Sequence, residues 1–178
     1  MKAYELNVAG VKRQLPIIAI NEHIKIASFV ILGDTELVTA AAPVLAEKLP
    51  EVDILVTAEA KGIPFVYELS KVLKMKRYVV ARKSIKSYMR NPLTHEVNSI
   101  TTQKVQTLYL DKQDVELLRG KRVALIDDVI STGESIQALE KLVQKAGGNV
   151  VAKAAILAEG DSAMRDDILF LEKLPIFK

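Results

Sequence analysis

The sequence predicts an α/β fold in which a parallel β-sheet carries helices on both faces. Short apolar runs rich in branched side chains recur along the chain, as expected for strands that are covered on both sides. They lie at residues 53–57, 77–81, 123–126 and 150–158. Polar turns and helical periodicity follow the first and third runs, and this strand–helix–strand order is typical of βαβ units with parallel strands.

Length and composition favour one soluble domain over residues 1–178. The chain has 178 residues, of which 49% are hydrophobic and 26% charged, enough to bury a sizeable core. A net charge of +3 is too small to indicate a nucleic-acid surface, although it suits an anionic small substrate. No apolar run reaches the roughly 20 residues that span a bilayer. The absence of cysteine is compatible with the cytoplasm.

Within this domain we expect an N-terminal segment with the first helix (1–50), a core (51–160) and a tail (161–178). Residues 15–20 and 24–32 are predicted strands, and residues 35–49 a helix capped by Asp34. The apolar positions of the tail are expected to pack on the core or on a partner subunit.

Residues 123–135, VALIDDVISTGES, carry the most specific functional pattern. A buried strand leads into two carboxylates, Asp127 and Asp128, and a small polar turn precedes a helix. Ligands of an open parallel sheet bind beyond the carboxyl ends of its strands, and the N–H groups at a helix start suit a phosphate. Adjacent carboxylates can accept hydrogen bonds from two vicinal hydroxyls of a sugar. The stretch therefore predicts a site for a phosphorylated sugar; the alternative is an acidic strand end with a Ser/Thr helix cap.

This pattern resembles the phosphoribosyl-pyrophosphate (PRPP) signature of type I phosphoribosyltransferases. The resemblance implies a Rossmann-like core with a small hood over the base, built largely from the N-terminal segment. It implies that Asp127 and Asp128 bind the ribose hydroxyls. The rest of the PRPP site would be the turn made by Val129, Ile130, Ser131, Thr132, Gly133, Glu134 and Ser135, which binds the 5′-phosphate. In the hood, Phe29 is the candidate for stacking on the base, and an ordinary core position is the alternative.

A second polar turn, Glu59-Ala60-Lys61-Gly62, follows the strand at residues 53–57. Lys61 can face an anion there, and Gly62 allows the backbone to approach it. The turn resembles the pyrophosphate loop of the same family. The resemblance implies pyrophosphate contacts from these four residues and a non-proline cis peptide near Ala60-Lys61.

Basic residues and a long polar loop follow the strand at residues 77–81. Arg82, Lys83 and Lys86 are candidates for binding pyrophosphate, and a solvated basic turn is the alternative. Residues 84–107 predict a mobile lid, because they exceed most connections in length, with a hairpin at 97–102 and 105–110. The catalytic candidates are Lys83 and Glu96, the single glutamate of that loop.

The resemblance implies transfer of ribose 5-phosphate from PRPP to a purine base, with release of pyrophosphate. Mg²⁺ would reach PRPP mainly through water and substrate oxygens, without direct protein ligands. Ser131 replaces an aspartate of the hypoxanthine-guanine branch, and Ile31 and Gly160 lack the side-chain donors found in xanthine enzymes. Adenine is therefore the favoured base, and the polar turn at residues 159–162 is expected to border it.

Two alternatives stay open: a xanthine phosphoribosyltransferase, and a PRPP-binding regulator without catalysis. The segment 82–128 also resembles the effector domain of the Gram-positive purine repressor, which motivates the regulator. About 50 residues precede the first core unit, too few for a hood and a DNA-binding domain together. Because type I family members are commonly dimers, the resemblance implies a homodimer in the cytoplasm with no nucleic-acid or membrane partner.

Overall fold

The computed structural model describes residues 2–98 and 105–178. In chain order the strands are β1 (Ala3–Val8), β2 (Val11–Ala19), β3 (Lys25–Ala27), β4 (Ile54–Ala58), β5 (Val79–Ala81), β6 (Leu93–Asn98), β7 (Val105–Leu110), β8 (Arg122–Ile130), β9 (Asn149–Glu159), β10 (Leu169–Leu174) and β11 (Ile176–Phe177). The α-helices are α1 (Thr35–Lys48), α2 (Ile63–Val72), α3 (Lys112–Leu118) and α4 (Glu134–Lys145), and a 3₁₀ turn spans Gly160–Met164.

The predicted parallel sheet is confirmed. It has five strands in the order β10-β9-β8-β4-β5, and every neighbouring pair is parallel. From β4 the chain moves outward to β5, whereas from β8 it moves the other way to β9 and β10. The switch point therefore lies between β4 and β8, where an open sheet leaves a crevice beyond its carboxyl ends.

Helices cover both faces of this sheet, as predicted. Leu55 of β4 packs in the cluster that includes α1 and α2, whereas its neighbour Val56 packs in the cluster that includes α4. Successive strand residues point to opposite faces, so the two clusters lie on opposite sides of the sheet. In α4 the buried Ile136, Leu139 and Val143 recur at helical spacing, which directs one stripe of the helix onto the sheet.

The N-terminal segment forms most of a second, four-stranded sheet in the order β1-β2-β3-β11. A two-residue turn with positive φ at Ala9 and Gly10 joins β1 to β2, the geometry that favours a tight hairpin. The strand expected at residues 24–32 is shorter, because β3 pairs with β2 only over Lys25–Ala27. The Arg13 guanidinium binds the Asp34 carboxylate at 2.7 Å, which ties this sheet to the cap of α1.

The predicted hairpin is present as β6 and β7. Its second strand has the predicted bounds, whereas its first strand begins earlier in the chain than predicted. β6 begins at Leu93, four residues before the expected start, because Leu93 pairs with Leu110 at the end of β7. The Lys145 ammonium donates to the Thr94 carbonyl at 3.2 Å, which ties the hairpin to α4. The remainder of the strand expected at 97–102 lies outside the described residues, and the mobility of the loop stays a prediction.

The tail contributes to both sheets. β10 adds the fifth strand to the core beside β9, and β11 pairs antiparallel with β3 of the N-terminal sheet. The apolar tail therefore packs on its own chain and joins the hood to the core. Among the described residues, no helix combines the length and apolar character that a membrane crossing requires.

Candidate active site

A cleft of about 590 Å³ opens at the carboxyl ends of β4, β8 and β9. The hood residues from Ile26 to Val30 form one wall, and residues of the β6–β7 hairpin line another. Most of the predicted site residues line this cleft. They are Phe29, Glu59, Ala60, Lys61, Lys83, Asp127, Asp128, Val129, Ser131, Thr132, Glu134 and Ser135.

Six predicted site residues are not among those that line the cleft: Gly62, Arg82, Lys86, Glu96, Ile130 and Gly133. Ile130 is buried in the core between the sheet and α4. Glu96 neighbours Val97, which does line the cleft, and adjacent residues of a strand point to opposite faces. The structure therefore does not bring the Glu96 side chain to this cleft.

The acidic pair lies within β8, because the strand continues to Ile130 instead of ending before Asp127. Asp128 is buried, and its Oδ2 atom has no hydrogen-bond partner among the described residues. Asp127 Oδ1 accepts a hydrogen bond from the Asp128 N–H at 2.8 Å. Burial, followed by the hydrogen bond and charge of Asp128, raises the pKa of Asp127. Two carboxylates this close share a site best when one is protonated or when a bound group supplies donors.

The turn after the acidic pair prepares the start of α4. Gly133 adopts φ +84° as the N-cap, a left-handed conformation that favours glycine. The Thr132 hydroxyl accepts from the Glu134 N–H at 3.4 Å. A Cβ atom on Gly133 would contact the Arg165 guanidinium. The Arg165 cation therefore lies beside the predicted phosphate turn. Sequence reasoning did not identify Arg165 as a site residue.

The 59–62 turn takes its shape from a cis peptide and a close contact. The cis bond joins Glu59 and Ala60, one bond before the expected Ala60-Lys61. A Cβ atom on Gly62 would overlap the Thr57 hydroxyl, so the position requires glycine for space. The Lys61 ammonium lies 3.6 Å from Asp128 Oδ2, which brings this turn to the acidic pair within β8.

The basic residues after β5 have different roles in the structure. Glu59 Oε1 accepts from the Lys83 backbone N–H at 2.6 Å and lies 3.2 Å from Arg82 Nε. The Lys83 hydrogen bond, together with Arg82, lowers the pKa of Glu59. Arg82 also donates to the Tyr88 hydroxyl at 2.7 Å, and Lys86 donates to Ser84. Arg82 thus bridges Glu59 and Tyr88, and Lys86 makes its contact within its own loop, whereas Lys83 lines the cleft.

The hood wall contains a buried aromatic residue and several small ones. Phe29 is only 8% exposed and belongs to the core cluster around α1 and α2, yet it also borders the cleft. Sequence reasoning did not identify Ser28, Gln106 and Leu174 as lining residues. Each comes from an element whose place beside the cleft depends on long-range packing, and none carries a local motif.

Glu159 lies at the end of β9 and lines the cleft, in the polar turn that was expected to border the base. Its Oε1 atom accepts from the Ser131 hydroxyl at 2.8 Å. The Ser162 hydroxyl donates to the Ser131 carbonyl. Glu159 thus binds the hydroxyl of Ser131, and Ser162 binds its carbonyl. Within residues 2–98 and 105–178, no group of three or more His, Cys, Asp or Glu side chains forms a metal-binding cluster.

The chain is similar to known proteins in sequence and in fold. Residues 35–175 match the phosphoribosyl transferase domain family. The chain is 37% identical over 130 residues to the adenine phosphoribosyltransferase of Thermosipho africanus, covering 71% of this chain and 72% of that protein. It is 31% identical over 140 residues to the adenine phosphoribosyltransferase of Clostridium botulinum strain Alaska E43, covering 78% of each.

Its fold is similar to the crystal structure of adenine phosphoribosyltransferase from Thermoanaerobacter pseudethanolicus, with a TM-score of 0.67 and 23% identity. That similarity covers 97% of this chain and 95% of the other. Because the family match extends over more than half of the chain and both relatives cover more than two thirds of it, the chain belongs to the phosphoribosyltransferase family.

Proposed function

We propose that the protein transfers ribose 5-phosphate from PRPP to a purine base, with adenine as the favoured base, in purine salvage. The observation that carries the proposal is one cleft of about 590 Å³ lined by the acidic pair, the turn before α4 and Lys61. A volume of this size suits a small-molecule site. Support for adenine comes from the two relatives, which are both adenine phosphoribosyltransferases.

The acidic pair and the following turn are suited to ribose 5-phosphate. Asp128 Oδ2 is a buried acceptor without a hydrogen-bond donor in the described chain, and a ribose hydroxyl would supply one. The helix start behind Gly133 offers backbone N–H groups to a phosphate. Ser131, Thr132 and Ser135 add hydroxyl groups at the same wall of the cleft.

The 59–62 turn and Lys83 are suited to pyrophosphate. Lys61 and Lys83 both line the cleft and carry exposed ammonium groups on flexible stems. Glu59 holds the Lys83 backbone, so it positions the end of β5 against the turn. We assign Arg82 and Lys86 to the outer edge of this subsite, where they would add positive charge without lining the cleft.

The residues fit a Mg²⁺ ion that is bound chiefly through substrate. Mg²⁺ retains several waters and needs only one or two carboxylates beside the substrate oxygens, and the buried Oδ2 of Asp128 leaves an acceptor for a hydrated ion or a sugar hydroxyl. Asp127 and Asp128 would hold the hydrated ion at the ribose. When bound, the ion supplies positive charge that balances the pyrophosphate oxygens as their charge grows.

The chain's own residues would act mainly by positioning and electrostatics. As the bond from the anomeric carbon to pyrophosphate lengthens, positive charge develops on the ribose and negative charge on the leaving group. Lys61 and Lys83 stabilise the leaving oxygens, and Asp127 and Asp128 fix the ribose through its hydroxyls. The hood and the β6–β7 hairpin border the cleft on two sides, which reduces the access of water that would hydrolyse PRPP.

The expected assembly is a homodimer, and the expected location is the cytoplasm. Exposed apolar side chains, including Val44 on α1 and Tyr67 on α2, provide surface that a second copy would cover. Light scattering across working concentrations tests the dimer, and a monomer at every concentration would refute it.

The activity is tested by incubating the protein with PRPP, Mg²⁺ and each of adenine, hypoxanthine, guanine and xanthine, while pyrophosphate release is followed. We expect the highest kcat/KM with adenine. The Asp128→Asn variant should lose most of the activity, whereas Asp166→Asn, an exposed acid outside the cleft, should retain it. PRPP binding by calorimetry without turnover of any purine would favour the regulator, and preferential turnover of xanthine would favour the xanthine enzyme.

A further inference from the structure

We propose that Glu159 is the catalytic base that accepts the ring proton of the incoming purine. This proposal rests on the proposed transfer reaction and assigns the proton-accepting group within the same cleft.

Among the described residues, five carboxylates line the cleft: Glu59, Asp127, Asp128, Glu134 and Glu159. Glu59 is engaged by the Lys83 N–H and by Arg82. Asp127 and Asp128 form the acidic pair that faces Lys61. Glu134 lies in the first turn of α4, within the phosphate turn. Glu159 is thus the cleft carboxylate that the sugar and phosphate subsites do not use.

Glu159 also lies on the side of the cleft where a base would sit. In the sheet it pairs with Leu174, which lines the cleft. The next residue, Gly160, approaches Ile176 of β11, and Ile176 pairs with Ile26 of the hood. Glu159 therefore stands between the phosphate turn and the hood wall, so its carboxylate can meet an edge of a purine held beside the hood.

Ser131 holds this carboxylate in one orientation. Its hydroxyl donates to Glu159 Oε1 at 2.8 Å, while the Ser162 hydroxyl donates to the Ser131 carbonyl. Ser162 is 4% exposed, so this support is anchored in the core. Because the hydrogen bond uses Oε1, the Oε2 atom is the one that would accept the proton. Ser131 is accordingly a positioning residue.

The proposed step balances as follows. The N9 lone pair of the purine forms the bond to the anomeric carbon, and the bond from that carbon to the pyrophosphate oxygen breaks with its electron pair leaving on pyrophosphate. The proton on N7 of the imidazole ring passes to Glu159 Oε2. Without that transfer the nucleotide would carry a positive charge on its imidazole ring.

The test compares single-turnover rates of nucleotide formation with adenine and with 8-azaadenine. The additional ring nitrogen makes the ring N–H of 8-azaadenine more acidic, so the reaction of 8-azaadenine depends less on a protein group that accepts this proton. We expect Glu159→Gln to lower the rate with adenine about 100-fold and the rate with 8-azaadenine clearly less, with unchanged Kd for PRPP by calorimetry. Glu116→Gln, a matched and exposed glutamate on α3 outside the cleft, should keep the wild-type rate.

Equal loss with both bases would show a packing role and overturn the proposal, as would an unchanged rate. If Glu96→Gln lowered the rate with adenine more than the rate with 8-azaadenine, while Glu159→Gln kept the wild-type rates, the catalytic base would be Glu96. If Glu159→Gln fails to fold, Ser131→Ala removes the hydroxyl that orients Glu159. Its loss of rate should again be larger with adenine than with 8-azaadenine, and smaller than expected for Glu159→Gln. A wild-type protein that turns over neither base would refute the transfer reaction itself, whereas wild-type turnover with an unaffected Glu159→Gln refutes only the role of Glu159.

Discussion

The Lys61 ammonium lies 3.6 Å from Asp128 Oδ2, and this ion pair joins the turn after β4 to the acidic pair within the neighbouring strand β8. The Asp128 side chain is 4% exposed and that of Lys61 is 53% exposed. This ion pair thus places an exposed ammonium against a buried carboxylate. Anionic PRPP would offer the same ammonium a second partner at the same place, so Lys61 is suited to contact the substrate without a large movement.

Replacing Lys61 by Met keeps most of the side-chain stem and removes its charge. We expect the Kd for PRPP to rise about 10- to 100-fold, the range that a hydrogen bond to a charged group provides. The melting temperature should fall as well, because the substitution leaves the buried Asp128 carboxylate without its cationic partner. Calorimetry with PRPP and Mg²⁺ measures the first effect, and thermal unfolding measures the second.

The matched control is Lys71→Met. Lys71 is 55% exposed and pairs with Glu68 at 3.2 Å, but it lies on α2 outside the cleft. Its PRPP affinity should equal that of the wild type. A similar loss of affinity in both variants would mean that overall charge, and not the position of Lys61, determines binding.

Asp127 should make the free energy of unfolding depend on pH. Burial and the neighbouring Asp128 raise the pKa of Asp127 from 3.8 to about 8 in the folded protein. The stability linked to its protonated form is fully present below pH 3.8 and is lost as the pH rises through about 8. Asp127→Asn cannot titrate there. Its stability relative to the wild type should therefore increase between about pH 4 and pH 8, by at most about 1.4 kcal/mol per pH unit.

Urea unfolding of the two proteins across this range measures the difference. Other groups titrate in both proteins and cancel in the comparison, including His95, whose pKa is lowered by burial and then by Lys145 and Lys141. A difference that stays constant with pH would show that Asp127 is ionised in the folded protein throughout.

Binding of PRPP with Mg²⁺ should release a proton near pH 7. In the unbound protein the acidic pair retains a proton because the pKa of Asp127 is raised. Hydroxyl donors and a nearby cation favour the ionised carboxylate, so binding lowers that pKa. Calorimetry in two buffers with different ionisation enthalpies counts the protons. The count should approach one for the wild type, and Asp127→Asn should show none from this source even if it binds more weakly.

The local part of the site could be predicted from the sequence, because one continuous segment carries it. Asp127, Asp128 and the turn to Ser135 follow each other along the chain, and the strand-end rule brings Lys61 to the same edge of the sheet. The contacts between Ser131 and Glu159 and between Gly133 and Arg165 join residues far apart in sequence. They depend on how β9 and the 3₁₀ turn pack beside β8, which no local pattern specifies.

The fold shows the same division between local and long-range signals. Buried strands such as β8 are near-continuous apolar runs that a sequence reveals. The hairpin strands β6 and β7 are set by cross-strand pairing, for example of Leu93 with Leu110, so one boundary was shifted. In the hood, the Ala9-Gly10 turn between β1 and β2 was the local signal for β1. The signal was weak, because alanine is unusual at positive φ.

Gly133 should be required both for its backbone angle and for the space it leaves to Arg165. Its φ is +84°, and an alanine there costs about 1 kcal/mol from backbone strain. The added methyl group would also displace the Arg165 guanidinium, which donates to Asp167 at 2.8 and 2.7 Å. Partial loss of that pair adds up to about 1 kcal/mol. We expect Gly133→Ala to lower the free energy of unfolding by the sum of the backbone cost and the lost ion-pair contribution. The KM for PRPP should rise.

Gly10→Ala is the matched control, because Gly10 has φ +78° and nothing lies within 4 Å of the added methyl group. It should show only the backbone cost and an unchanged KM for PRPP. The additional loss in Gly133→Ala should disappear when both variants are compared in an Arg165→Ala background, since the displaced contact is then absent. If the additional loss persists without Arg165, the contact with the guanidinium does not constrain the turn, and backbone strain alone explains the requirement for glycine.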